Sequence, residues 1–192
     1  MAAASIPKDH PAPGLSGVDD YDSGVALVVI TASIQASGKT ARLGLEAIKL
    51  AGEGELIDLS TLDAEALLGR RRDAGLDHAL EQVALADRVV LVTPVYRATY
   101  SGLLKVFFDL LPQNALAGSV SVLVASGVAP AHFLSLDTGL RVLVASLGGW
   151  SAPTVVYATA ADFEAEGGLA PAITKRLEIA LAEATQLAPL ES

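Results

Sequence analysis

The sequence contains no cysteine, few histidines and no long apolar run, and each absence excludes a class of protein. Without cysteine the chain can form no disulfide, no iron–sulfur cluster and no thiolate zinc site. The three histidines are scattered, so we predict no metal site. No apolar stretch reaches the roughly eighteen residues of a membrane helix, and the N-terminus lacks the pattern of a secretory signal. We therefore expect a soluble, cytoplasmic protein that does not bind a membrane.

Positive charge is also scarce. The chain has 13 Lys and Arg against 22 Asp and Glu, a formal net charge of −9. Nucleic-acid surfaces depend on clustered basic residues, so we expect no nucleic-acid partner. The one basic run, 70–72, is interpreted as a solvated helix end. Because cysteine is absent, any redox chemistry must come from a bound organic cofactor.

What is present is apolar: 52% of the 192 residues are hydrophobic, enough for one compact domain with a large core. The first two dozen residues are rich in proline, glycine and acidic residues, a composition that does not bury enough surface to fold. The sequence therefore predicts a flexible tail at residues 1–24 and one domain at residues 25–188.

Within that domain, apolar β-branched runs alternate with segments of helical spacing. Strands are predicted at Val25–Thr31, Glu55–Leu59, Arg88–Val92, Ser119–Ala125 and Thr154–Ala158. Helices are predicted near Lys39–Ala51, Asp73–Leu85, Ser101–Leu111, Ala131–Leu147 and Pro171–Leu187. This order predicts an α/β fold, a doubly wound parallel sheet with helices on both faces. Ligands of such sheets bind beyond the carboxyl ends of the strands, so the loops after strands one, three and four are the candidate site.

The loop after strand one, TASIQASGKTARL, combines hydroxyls, a glycine and one lysine at the start of a helix. Free N–H groups and the helix dipole favour a phosphate at such a position. The candidate phosphate ligands are Ser33, Gln35, Ser37, Gly38, Lys39 and Thr40. Two alternatives stay open here. Ser37 could merely cap the helix, or Gly38-Lys39-Thr40 could end a nucleotide-binding P-loop, although Ser33 stands where that motif needs its first glycine.

The loop after strand three begins the run TPVYRATYSGLLKVFFDLLP, residues 93–112. This run resembles the NAD(P)H-dependent FMN reductase family, in particular the reductases that supply reduced flavin to alkanesulfonate-type monooxygenases. The resemblance continues through SGVAPAHFLSLDTGLRVLVASLG, residues 126–148, and covers most of residues 25–160. It implies a flavodoxin-like, five-stranded sheet of order 2-1-3-4-5.

The resemblance also assigns residues to the flavin. It implies that the loops after strands three and four contact the flavin through Thr93, Pro94, Val95, Tyr96, Arg97, Ser101, Ser126 and Gly127. Val128 replaces a second glycine of the family and is a weaker candidate for contact. Tyr100 fits either a flavin role or an ordinary surface role, and His132 either lines the site or caps the turn.

By resemblance, the activity is hydride transfer from NADH or NADPH to FMN, which requires no catalytic side chain. Arg97 and Arg141 are the candidate contacts to the extra phosphate of NADPH. The reduced flavin would pass to a partner monooxygenase. Alternatives are a quinone, azo-dye or chromate reductase with tightly held FMN, and a non-catalytic flavodoxin-like carrier or binding module.

Two further expectations concern helices. The helix Leu103–Leu111 is apolar around more than one face, which predicts a homodimer or homotetramer. In the alkanesulfonate-system reductases, the helix matching 131–147 carries an inserted tyrosine that distorts one turn and accompanies exchangeable flavin. Thr138 stands at the matching position here, so the sequence leaves open whether a π-type bulge persists.

Overall fold

A computed structural model describes residues 27–165 and 167–188. The tail predicted at residues 1–24 lies outside the described residues, as do residues 25 and 26 at the start of the predicted domain.

The described residues form one parallel sheet. Its strands are β1 (Leu27–Thr31), β2 (Glu55–Asp58), β3 (Arg88–Pro94), β4 (Val120–Ser126), β5 (Trp150–Ser151) and β6 (Val156–Ala158). The strand order is β2-β1-β3-β4-β5, and β6 also pairs with β4, further along the same edge. The predicted order 2-1-3-4-5 is therefore confirmed, with the fifth position divided between two short strands.

The prediction of one continuous strand at Thr154–Ala158 is wrong in its bounds. Pairing begins earlier, at Trp150, and is interrupted between Ser151 and Val156. Pro153 lies in the interruption and has no N–H to donate to the ladder, which explains the break.

Helices cover both faces of the sheet. They are α1 (Lys39–Ala51), α2 (Ala64–Leu67), α3 (Ala74–Leu85), α4 (Gly102–Leu110), α5 (Arg141–Ser146) and α6 (Pro171–Leu187). One core lies under α1 and α6, and the other lies under α3, α4 and α5. In β1, Val28 and Ile30 face one core while Leu27 and Val29 face the other, so the strand is apolar on both sides. None of the helices in the described ranges has the length and apolarity needed to cross a bilayer.

The helix predicted at Ala131–Leu147, for which the sequence left a π-type bulge open, is irregular. The segment consists of a 3₁₀ turn (Pro130–Phe133), a π-helix (Leu136–Leu140) and α5. The N–H of Arg141 bonds the carbonyl of Leu136, five residues back, which is the π-type pairing. A π-helix therefore exists here with Thr138 at the position where the resemblance implies a tyrosine.

Candidate functional site

A cleft of about 440 Å³ lies at the carboxyl ends of β1, β3 and β4. Three loops line it, the ones that follow these three strands. The lining residues are Ser33, Gln35, Ser37, Gly38, Lys39, Thr40, Pro94, Val95, Tyr96, Ser126, Gly127 and Val128. The structure thus brings together most of the predicted site residues and adds Val128, which the sequence made a weaker candidate.

Three predicted residues do not line the cleft. Arg97 is exposed at a hairpin tip, one residue beyond Tyr96. Thr93 and Ser101 are buried and bond to each other, with the N–H of Ser101 donating to Thr93 Oγ1 at 3.0 Å. Ser101 Oγ also caps α4 and donates to the Ala32 carbonyl at 2.6 Å. These hydrogen bonds connect the ends of β1 and β3 to the start of α4. Direct contact with flavin stays a prediction for Thr93, Arg97 and Ser101.

The N-terminus of α1 opens onto the cleft without a side-chain cap. Its N-cap residue is Gly38, and no side chain of the described residues makes a capping hydrogen bond there. Asp63, Asp73 and Ser101 cap α2, α3 and α4, whereas α5 and α6 also lack a side-chain cap but do not open onto the cleft. The alternative that Ser37 merely caps the helix is therefore wrong. The first N–H groups of α1 remain available to a ligand anion, and the helix dipole favours that anion.

The segment that follows β6 contacts α1 through Arg42. The Arg42 guanidinium donates to the carbonyls of Glu164, Gly167 and Gly168 at 2.9, 3.2 and 2.6 Å. The Phe163 ring lies 5.0 Å from the Arg42 guanidinium carbon and 5.7 Å from Lys39 Nζ, within cation–π range. The phosphate-binding candidate Lys39 is thus flanked by an aromatic ring.

The loop after β3 folds into a tight hairpin. Tyr96 and Thr99 exchange backbone hydrogen bonds of 2.9 and 3.1 Å around a two-residue tip. Both tip residues, Arg97 and Ala98, are left-handed, with φ of 52° and 64°. A tip with two positive φ values is the type I′ geometry, which glycine and asparagine normally occupy. The hairpin therefore carries backbone strain next to Tyr96, a lining residue.

The π-helix lies against this hairpin. A Cβ placed on Gly139 would come within 3.3 Å of the Tyr100 ring and 3.5 Å of Thr99 Oγ1. Thr138 Oγ1 donates to the Leu134 carbonyl at 2.9 Å, a bond to the residue four back that bends helices. Tyr100 packs here and does not line the cleft, and neither does His132.

The loop after β4 receives a contact that sequence reasoning missed. The Tyr157 hydroxyl, on β6, donates to the Ala129 carbonyl at 2.9 Å. Burial raises the pKa of this phenol above its ordinary value, so the hydroxyl keeps its proton further into the alkaline range. A Tyr in a strand carries no sequence signal of contact with a loop about 30 residues earlier, because only the pairing of β6 with β4 brings them together.

The cleft is nearly free of charge. Lys39 is the one charged side chain among its lining residues, although the whole chain carries −9. Arg141 points elsewhere, since its guanidinium bonds Asp137 and the carbonyl of Ala152 at 3.0 and 3.1 Å. The cleft can therefore accept an anionic group at α1 and a flat, largely apolar group against Pro94, Val95 and Tyr96.

Comparisons with known proteins agree with one another. Residues 25–164 match the family model described as NADPH-dependent FMN reductase. A curated relative, FMN reductase (NADPH) of Pseudomonas aeruginosa, is 34% identical over 133 residues, which cover 69% of this chain and 72% of that protein. NADH-dependent FMN reductase SfnF of Pseudomonas putida is 34% identical over 167 residues, 80% of this chain and 88% of that protein.

Among solved structures, the apo form of an NADH:FMN oxidoreductase, EmoB, superposes with a TM-score of 0.79 at 31% sequence identity. The superposition covers 87% of this chain and 91% of that one. The likeness in fold therefore extends over most of the chain.

Proposed function

The chain belongs to the NADPH-dependent FMN reductase family, and we propose that it reduces FMN in the cleft described above and releases it to a partner monooxygenase. The family membership makes it an oxidoreductase that uses NAD(P)H and FMN. The cleft as the place of reaction, the release of flavin and the partner are the parts we propose.

One observation carries the assignment of the cleft: the uncapped N-terminus of α1 opens into it beside Lys39. FMN ends in a single phosphate, which one helix terminus with one lysine can hold. Ser33, Ser37 and Thr40 add hydroxyl donors around the same position. A flavin without the phosphate would leave these groups without a partner.

The other half of the cleft fits a flat ring system. Pro94, Val95 and Val128 offer apolar surface, and Tyr96 offers an aromatic one. Bound flavin supplies the hydride acceptor. This chain contributes binding, orientation and exclusion of water, because hydride transfer between two stacked rings needs no protein acid or base.

The exposure of the cleft supports release. Residues 34–39 are exposed, and Val128 is 91% exposed, so nothing within the described residues closes over a ligand there. A flavin bound in an open cleft exchanges more readily than one sealed under a lid. The π-helix beside the hairpin supports the same proposal, since the resembling reductases with exchangeable flavin also carry a distorted turn.

The experiment is a paired assay on the purified protein. NADH and NADPH oxidation is measured with and without added FMN, and flavin-loaded protein is passed over a gel-filtration column. We expect oxidation to depend on added FMN and the flavin to separate from the protein. Flavin that elutes wholly with the protein, with oxidation that gains nothing from added FMN, would favour a quinone, azo-dye or chromate reductase instead.

We also propose a homo-oligomer built on α4. Leu103, Val106 and Leu110 remain only half-buried after the helix has packed on the sheet. They are spaced three and four residues apart, so they form one partly exposed apolar stripe along the flank of α4, beside its buried face. Light scattering should give at least a dimer, and Val106→Asp should dissociate it. A single-chain mass for the unaltered protein at micromolar concentration would contradict the proposal.

A further inference from the structure

The loop after β4 has little internal packing. No residue from 127 to 134 is buried. A second cavity of about 280 Å³ lies behind the loop, lined by Pro130, Phe133, Val155, Tyr157, Thr159 and Arg176. The loop nevertheless supplies Gly127 and Val128 to the flavin cleft. Something other than core packing must therefore fix its position.

Tyr157 is the side chain that reaches the loop from outside. Its hydroxyl donates to the Ala129 carbonyl, which also accepts the N–H of His132 at 3.0 Å. Among the described residues, the other side-chain bonds to carbonyls of residues 127–134 come from Ser135 and Thr138, which lie only three and four residues away from their acceptors. Within the described part of the chain, Tyr157 is thus the one side chain that hydrogen-bonds this loop to the sheet.

The same phenol determines which residue can stand at position 127. A Cβ on Gly127 would overlap the Tyr157 hydroxyl oxygen and lie 3.0 Å from the ring carbon Cζ and 3.3 Å from Cε2. The backbone of Gly127 is held on its other side, where its N–H donates to the Ala158 carbonyl at 3.0 Å. A side chain at 127 could be accommodated only if the loop or the tyrosine moved.

We infer that Tyr157 is a positioning residue for FMN binding, which holds the loop after β4 in place from behind and thereby requires glycine at position 127. This inference rests on the proposed binding of FMN in the cleft. It differs from the ordinary explanation of a glycine in a flavin loop, in which the flavin itself needs the space. Here the excluded volume belongs to the protein.

The test is a double-mutant cycle of Gly127→Ala and Tyr157→Phe, read by FMN dissociation constant, kcat at saturating FMN and melting temperature. Tyr157→Phe removes one neutral hydrogen bond, so FMN affinity should fall about 2- to 10-fold while kcat at saturation stays close to that of the wild type. Gly127→Ala should weaken FMN further. The double variant should bind FMN more tightly than Gly127→Ala alone, because the overlapping oxygen is gone and the remaining 3.0 Å contact needs only a small shift.

Gly149→Ala is the matched control. A Cβ there would meet Leu116 Cβ at 2.8 Å, at the opposite end of the sheet, so it should lower the melting temperature and leave FMN affinity unchanged. Absence of rescue in the double variant would overturn the inference, because it would mean that the flavin and not Tyr157 excludes the side chain. Unchanged FMN affinity in Tyr157→Phe would also overturn it. Wild-type protein that does not bind FMN at all would instead refute the proposed function.

Discussion

The hairpin tip Arg97–Ala98 offers a prediction in which a smaller side chain stabilises the protein. Ala98 has a φ of 64°, and a residue with a Cβ pays about 1–2 kcal/mol for that left-handed conformation. Glycine adopts it without that cost but loses more entropy on folding, about 0.5–1 kcal/mol. Ala98→Gly should therefore raise the free energy of unfolding, by up to about 1.5 kcal/mol, and the melting temperature by up to about 5 °C.

The assay is thermal and urea unfolding of Ala98→Gly beside Ala84→Gly. Ala84 is exposed in α3, a helix with ordinary negative φ, so the same substitution there should lower stability by about 1 kcal/mol. The two variants should move in opposite directions. A loss of stability in Ala98→Gly equal to that in Ala84→Gly would refute the strained hairpin.

Three other predictions follow from single contacts. Ser101→Ala removes both the cap of α4 and the bond to the buried Ala32 carbonyl, so chemical denaturation should show a loss of about 1–3 kcal/mol; an unchanged midpoint would contradict the role given to Ser101. Thr138→Val keeps the side-chain shape but removes the hydrogen bond to the Leu134 carbonyl, which should make the helix more regular. More FMN should then stay with the protein on gel filtration, and unchanged retention would mean that the π-helix plays no part in flavin release. Because burial raises the pKa of Tyr157, the folded state binds the phenol proton more tightly than the unfolded state. The stability that results is complete below pH about 10 and is lost as the pH rises further. Between pH about 9 and 11 the wild type should therefore lose more stability than Tyr157→Phe, and parallel stability curves would argue against the shift.

The sheet and the cleft were predictable because they follow from local patterns. Strands with continuous apolar runs and helices with regular spacing fix a parallel, doubly wound sheet, and such a sheet brings the loops after β1, β3 and β4 to one edge. The residues of the loop around Ser37 were found in this way, whereas those of the turn around Val95 were assigned by the family resemblance. The family resemblance then connected the same loops to flavin.

The parts that the sequence did not yield depend on contacts distant along the chain. Tyr157 reaches Ala129, and Arg42 reaches Gly167, only after the sheet has formed. The break before Val156 and the π-helix around Thr138 arise where a proline or a hydroxyl bond competes with regular pairing. The hydrogen bonds that Thr93 and Ser101 make to each other and to the Ala32 carbonyl likewise join segments that are distant in sequence.

If the N-terminus of α1 holds the phosphate of FMN, as we propose, titration of the protein with FMN and with riboflavin will show it. The two flavins differ only in that phosphate, so their affinities isolate the contribution of the loop at 33–40. We expect FMN to bind more tightly than riboflavin, and Ser37→Ala with Lys39→Ala to weaken FMN by about 2–4 kcal/mol with little effect on riboflavin. Equal affinities of the wild type for the two flavins would contradict the assignment of this loop.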